Sequence, residues 1–430
     1  MKRRASLVAL FGVLLGGRNL ATQDATVDPT FNAVPFQQWV AAGPKAELPW
    51  HVHITPPKLT LHQRIGVEIE VEVDGNEMVK RCCEGQAVAL LEIADSEGHT
   101  YRNSATKDLK DAQPALHEYM VKMSWQMFLL PGDYQATVAL YYTGNNDVRD
   151  AHSLSVQTIH VESLKRDPLP ESAQDLPRLE FCDAQPEGAD AYLLPNVVGR
   201  LRLAAKPGHR IRVEILENLT PYPSERRKAS LYDDRLAVYL PILKTFGQLE
   251  IENGSVNVSV LDFTRRSVIF EQADVNGRIL WGDLKQALSP NSVTAVNVHD
   301  LEQEEHLGDF FRDEMARRLA QTAIDEIVHV FIVISGPMDL GPPTPAIAPP
   351  AGAKFVTFYL KCNFLQTPAL THPGGFSVVP LGPSEQAVER SGPDGVGKVL
   401  KGLHLRTFPV DSAQSVRLAL AAMLGEISRM

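Results

Sequence analysis

His51 and His53 sit two apart in an apolar-polar alternation, so on a strand both imidazoles share a face, as paired metal-ligand histidines do. The sequence places no third ligand beside them, and they read as surface histidines of a sheet. Ser335-Gly336-Pro337 follows an apolar strand, where a nucleophilic serine can stand, but Val333 occupies the position at which a nucleophile elbow needs glycine. No glycine-rich phosphate loop of either common type occurs, and Gly392 to Gly397 reads as a turn into the next helix. Glu302, Glu304 and Glu305 read as a solvated helix start, where acids suit the helix dipole. The four cysteines, Cys82, Cys83, Cys182 and Cys362, are too few for a disulfide scaffold and lack zinc spacing. They read as buried or free thiols, with a bridge from Cys82 or Cys83 to Cys182 or Cys362 left open. No cofactor is expected from these patterns.

The elements that would position such residues fall into two groups. Val67-Glu68-Ile69-Glu70-Val71-Glu72-Val73 alternates with period two and stops at Asp74-Gly75, as a half-buried strand ending in a turn does. Strands over 87–94, 118–129, 134–142 and 153–161 follow, so residues 48–162 predict an all-β sandwich of immunoglobulin-like type. Residues 163–195, with Pro168, Pro170, Pro177, Pro186 and Pro195, predict a stiff interdomain linker. Residues 196–430 alternate strand and helix: strands over 210–217, 255–261, 267–271, 293–298, 328–334, 354–360 and 403–408, with helices over 233–249, 281–288, 304–320 and 412–427. The run Val328 to Ile334 is nearly all apolar, as a parallel strand covered on both faces must be. This half predicts an α/β, Rossmann-like layered domain, and the chain as a whole a multidomain protein.

The order of these elements, with Ile211 to Thr220 running into a Thr-Pro-Tyr-Pro turn and an antiparallel hairpin after the first helix, resembles von Willebrand factor A (VWA) domains. It is most similar to the VWA-related domains expanded in secreted proteins of Acidobacteria. The resemblance covers the C-terminal half; the sandwich and Pro49-Trp50 fit it more loosely. It implies a metal-ion-dependent adhesion site: Asp-x-Ser-x-Ser after the first strand, a later threonine, and an aspartate after the fourth strand. The matching positions here read Asn218-x-Thr220-x-Tyr222, and Ser335-Gly336 stands where the aspartate is expected. Both carboxylates are missing, and a hard ion such as Mg²⁺ gains little from neutral oxygens. The site is therefore read as degenerate, and no metal is expected. Glu217, one place earlier, should point to the opposite face of the strand. Asp262-Phe263-Thr264 imitates the motif but falls in the hairpin, with Arg266 at the last ligand position, and reads as a turn.

Lys2-Arg3-Arg4 before the apolar run Ala5 to Leu15 predicts a signal peptide over residues 1–21, without a lipobox cysteine, and hence a secreted or periplasmic protein. No later run is long enough for a membrane span. A net charge of −10 disfavours nucleic acid as a partner. Loop 336–352 is rich in proline and leaves the carboxyl edge of the predicted sheet, which makes Pro337, Met338, Asp339, Pro342 and Pro343 the candidate partner-binding residues. A second long Gly/Pro-rich insertion spans 367–393. The expected function is a secreted, non-enzymatic protein-interaction or adhesion role with an unknown protein partner; the alternative is an envelope hydrolase or metal-dependent enzyme whose site assembles only in three dimensions.

Overall fold

The computed structural model describes residues 28–47, 49–81, 85–108, 120–143, 152–169, 176–182, 197, 199–221, 229–275, 277–288, 306–322, 327–342, 345–364, 376–379 and 394–430. The signal segment, Cys82, Cys83, Tyr222, the strand expected over 293–298, Glu302, Glu304, Glu305 and Pro343 lie outside these residues. The fold is β-rich and built on several sheets.

Helix α1 (Phe36–Ala42) precedes strands β1 (Lys45–Ala46), β2 (Trp50–Ile54), β3 (Lys58–Leu59) and β4 (Ile65–Asp74), then helix α2 (Gly75–Arg81). Strands β5 (Gln86–Asp95), β6 (Thr100–Asp108), β7 (Met120–Leu129), β8 (Gly132–Thr143), β9 (His152–Val161) and β10 (Leu179–Phe181) follow. One antiparallel sheet runs β1-β9-β8-β5-β6 and a second β10-β7-β4-β2, with β3 also on β4. Val67, Ile69, Val71 and Val73 of β4 and Met123, Trp125 and Met127 of β7 meet Ala87, Ala89, Leu91 and Ile93 of β5 in one core between the sheets. The other face of β4 and β7 is polar, and Lys122 bridges Glu70 at 2.8 Å and also Glu72.

Strand β5 reads as continuously apolar because it is buried on both faces. Its Val88 and Leu90 pack outward against Phe31, Phe36 and Trp39, and Trp39 stacks on His152 at 4.2 Å. Residues before position 48 thus cover the sandwich. The turn expected at Asp74-Gly75 opens α2, with Asp74 Oδ1 accepting from the Asn76 N–H at 2.7 Å.

Strand β11 (Leu203–Ala205) pairs in parallel with β13 (Leu249–Ile251) beside the second layered region. There β12 (Ile211–Asn218), α3 (Ala229–Phe246), β14 (Gly254–Asp262), β15 (Ser267–Gln272), α4 (Trp281–Ala287), α5 (Leu307–Thr322), β16 (Val328–Ser335), β17 (Phe355–Cys362), β18 (Phe376–Val379), α6 (Gly395–Leu400), β19 (Leu405–Val410) and α7 (Ala413–Ile427) follow in order. The sheet runs β15-β14-β12-β16-β17-β19, parallel except for the antiparallel edge strand β15. One face takes Ile215, Ile332 and Ile334 against Leu240, Leu243 and Phe246 of α3 and Leu420 and Met423 of α7. The opposite face takes Leu216, Phe331 and Val333 against Phe311 and Met315 of α5 and Val399 of α6. Burial on both faces erases alternation, which is why this strand set reads as apolar runs. Strand β18 pairs not with this sheet but with β7.

The stretch 163–195 contributes β10 to the sandwich, because Leu179, Glu180 and Phe181 pair with Leu129, Phe128 and Met127. Three residues are too few to carry a readable period, so only the prolines stand out in that stretch. The same stretch binds the second region: Arg417 donates to both carboxylate oxygens of Asp167 at 2.6 Å and to the Gln63 carbonyl at 3.1 Å. Beside it, Arg64 pairs with Glu180 at 2.5 Å, both nearly fully buried, and Glu180 accepts the Gly199 N–H at 3.0 Å. A Cβ at Gly199 would lie 2.6 Å from Glu180 Oε2 and from Pro177 Cδ, so only glycine allows this approach.

Removing one partner of a buried pair strands the other charge in low dielectric, a loss of about 3–5 kcal/mol. Glu180→Leu is therefore expected to lower the unfolding free energy read by urea denaturation by that amount; an unchanged free energy would show that Arg64 has another counter-charge.

Candidate functional site

In an open parallel sheet a crevice forms outside the carboxyl ends where successive connections leave for opposite faces. Here that point lies between β12 and β16. The segment after β12 returns through α3 on one face, and the segment after β16 packs Met338, Leu340 and Ile347 on the other. The side chains ending these two strands are Asn218 and Ser335, together with Thr220 just beyond, and all three are buried.

They are bonded to one another. Asn218 Nδ2 donates to Ser335 Oγ at 2.9 Å, and Ser335 Oγ donates to the Gly336 carbonyl at 2.9 Å. Asn218 Oδ1 accepts the Thr220 N–H at 3.0 Å, while Thr220 Oγ1 accepts the Phe263 N–H at 2.6 Å. Arg235 of α3 donates to the Thr220 carbonyl and, at 3.3 Å, to the Asn218 carbonyl, with its guanidinium 4.9 Å from the centre of the Tyr239 ring. The amide of Asn218 does what a carboxylate cannot, since it supplies the donor that Ser335 accepts. The oxygens here are neutral and satisfied by protein groups, so the chemistry of the set is structural closure rather than attraction for a hard dication. Ser335 bonds to an amide and a carbonyl, and neither partner is a base that would make it a nucleophile.

On the reverse face of β12, Glu217 is fully buried, and neither carboxylate oxygen has a hydrogen-bond partner among the described residues. Burial drives its carboxyl well above the usual carboxylate range, with the Arg235 charge pulling the other way. Burial also pushes up the Cys362 thiol, and the neighbouring Glu217 adds to the rise. Glu217, Arg235, Tyr239 and Cys362 form a cluster that no motif announces; the only sequence signal is an acid at an inward position of a core strand. On the opposite face, the Tyr359 hydroxyl donates to Asp394 Oδ1 at 3.1 Å and Lys361 pairs with Oδ2 at 2.9 Å. Asp394 also caps α6 through the Gly397 N–H, so the glycines there start a helix.

The loop residues separate by exposure. Met338 is buried at 3% exposure, because its side chain fills the face between α5 and α6 and approaches Asn218 Nδ2 at 3.7 Å, so it is an anchor rather than a contact residue. Pro337 is half-buried, whereas Asp339 and Pro342 are exposed. His51 and His53 are exposed on β2, opposite Glu72 and Glu70 in register. No group of three His, Cys, Asp or Glu placed to hold a metal ion occurs among the described residues. Asp262-Phe263-Thr264 is the hairpin turn, with Arg266 at φ +48°. Cys182 and Cys362 are both buried. No helix among the described residues is long and apolar enough to cross a membrane.

No protein-family model and no curated protein matches the chain. Among solved structures, the crystal structure of the conserved hypothetical protein BatB from Bacteroides thetaiotaomicron matches at 13% identity and a TM-score of 0.24, over 51% of this chain and 98% of that one. A likeness of that degree defines neither fold nor function.

The raised carboxyl of Glu217 fixes the sign of a pH effect. The folded state holds this proton more tightly than the unfolded state, so the group costs nothing below the ordinary value of 4.5 and costs progressively more as pH climbs toward the folded value. Glu217→Gln keeps the shape without the charge. It is expected to match the wild-type melting temperature near pH 4 and to exceed it by a few degrees at pH 8, read by calorimetry; a difference that does not change with pH would remove the assignment.

Proposed function

We propose that the protein is an exported, non-enzymatic interaction protein of adhesion type, in which the six-stranded sheet and its helices form a metal-independent VWA-like domain and the paired antiparallel sheets an immunoglobulin-like module that supports it. The strand order with its antiparallel edge supports the first reading, and the two facing sheets support the second. The export reading rests on Lys2-Arg3-Arg4 and the apolar run behind them.

The observation that carries the proposal is the closure of the strand ends by the Asn218–Ser335 hydrogen bond. With both side chains satisfied inside the protein, recognition falls to the rim. The loop after β16 is built for such contact. Met338, Leu340 and Ile347 pin it, the Met338 carbonyl accepts the Gly395 N–H at 2.8 Å, and Asp339, Pro342, Pro345 and Pro349 face outward. A loop held in place before binding loses little entropy when a partner docks.

Two experiments test this reading. In capture from envelope extract with the purified chain, the bound protein is expected to survive chelator and to be lost with Asp339→Arg; loss of capture on adding chelator would return a metal-dependent role. In a thermal scan, wild type should not respond to millimolar Mg²⁺, whereas Asn218→Asp with Ser335→Asp places two carboxylates together and should be stabilised by it. A double variant indifferent to Mg²⁺ would mean that these are not the positions of a lost metal site.

A further inference from the structure

A cleft of about 500 Å³ opens where α3 ends and the chain turns back toward the amino ends of the parallel strands, away from the Asn218–Ser335 crevice. Its lining carries three cationic side chains, Arg200, Lys244 and Arg278, and one carboxylate, Asp283. Arg200 reaches across the opening, since a Cβ on Gly277 of the facing rim would stand 3.8 Å from its Nη1. The guanidinium groups of Arg200 and Arg278 are exposed and have no carboxylate within ion-pair distance among the described residues. Apolar surface lines the same space: Trp281 is half-buried, and Leu280, at 51% exposure, is one of two large hydrophobic side chains that stay exposed among the described residues. Gly247 lets the floor close, because a Cβ there would meet Ile279 at 2.6 Å.

We propose that this cleft binds a small organic molecule carrying a doubly charged oxyanion, a phosphate monoester or a dicarboxylate, with the anion between Arg200, Lys244 and Arg278 and its organic part on Trp281 and Leu280. The volume lies within the roughly 300–1,000 Å³ of small-molecule sites, and the pairing of a few convergent charges with an apolar wall is the usual composition of such sites. Like charges held around one space repel until an anion enters, so the empty cleft carries a cost that binding removes. Burial brings the Lys244 ammonium down to about 8; Cys182 and Glu180 oppose that fall, and Arg64 and Arg200 add a smaller push in the same direction. The nearby imidazole of His62 is itself held down to about 3 by burial and by the Lys244 and Arg64 charges, so it adds no positive charge at neutral pH. An anion between the cations should return Lys244 to its charged form, and binding near pH 8 should take up protons.

Titration calorimetry of the full chain at pH 8, in two buffers of different ionisation enthalpy, tests the proposal with inorganic phosphate and malonate as probes. The expected result is saturable binding of at least one probe at submillimolar Kd, with proton uptake, weakened at least tenfold by Arg278→Gln and by Lys244→Gln. Arg202→Gln, an exposed cation outside the cleft, should leave binding unchanged. Phosphate binding more tightly assigns the phosphate ester, and malonate the dicarboxylate. Because Arg278 is exposed, its variant folds whether or not Lys244→Gln does. No saturable binding of either probe, or binding indifferent to Arg278→Gln, overturns the proposal.

Discussion

The buried pair of Arg64 and Glu180 is the contact on which the arrangement of the chain depends. An unshielded charge in a core is costly, so each group fixes the other and everything attached to it. Arg64 precedes β4 and lies 4.6 Å over the Phe128 ring; Glu180 sits in β10 and takes the Gly199 N–H just ahead of the second region. The pair therefore locks β10 to the start of β4 within the sandwich, the Gly199 N–H ties it to the chain that enters the second region, and Arg417 with Asp167 joins the two regions directly. Apolar contact joins them as well: Leu61 and Leu169 enter the core that α3 and α7 cover.

At the carboxyl ends of the parallel strands the same logic of satisfaction holds, with neutral groups. Strongly perturbed acids are a common sign of catalysis, because reactive groups need shifted proton affinities. Glu217 departs from that pattern in one respect: its perturbation comes from complete burial within the face covered by α3 and α7. Keeping that acid protonated above its ordinary range costs stability, and the cost grows with pH. Arg235, bonded to the carbonyls after β12, fixes the start of the turn and supplies the nearest positive charge.

The sequence discloses the elements whose burial is regular. Strand β4 alternates because one face is wet, and β16 is uniformly apolar because neither is. The α7 stripe of Val416, Leu420, Met423 and Leu424 is equally plain. Less regular burial hides elements. Strand β6 has no fully buried residue, so Thr100 to Asp108 shows no alternation. Helix α1 has seven residues and buries only Phe36 and Trp39. At the candidate site, the positions Asn218, Thr220 and Ser335 are legible from their types and order. The bond between two of them is not, because it joins residues 117 apart and depends on which side of the amide faces the serine. Arg235 is illegible for a similar reason: it binds backbone carbonyls, and every residue type offers those.

Strand β7 shows what this construction means for inheritance. One of its long edges is paired by β10 at Met127 to Leu129 and by β18 at Met120 to Met123, two segments that lie later in the chain. A bare strand edge offers its amides and carbonyls to any other chain. A gene fragment ending where β9 ends would encode a sandwich with that edge uncovered. A transplanted sandwich would therefore have to carry β10 and β18 with it, or find another strand to cover that edge.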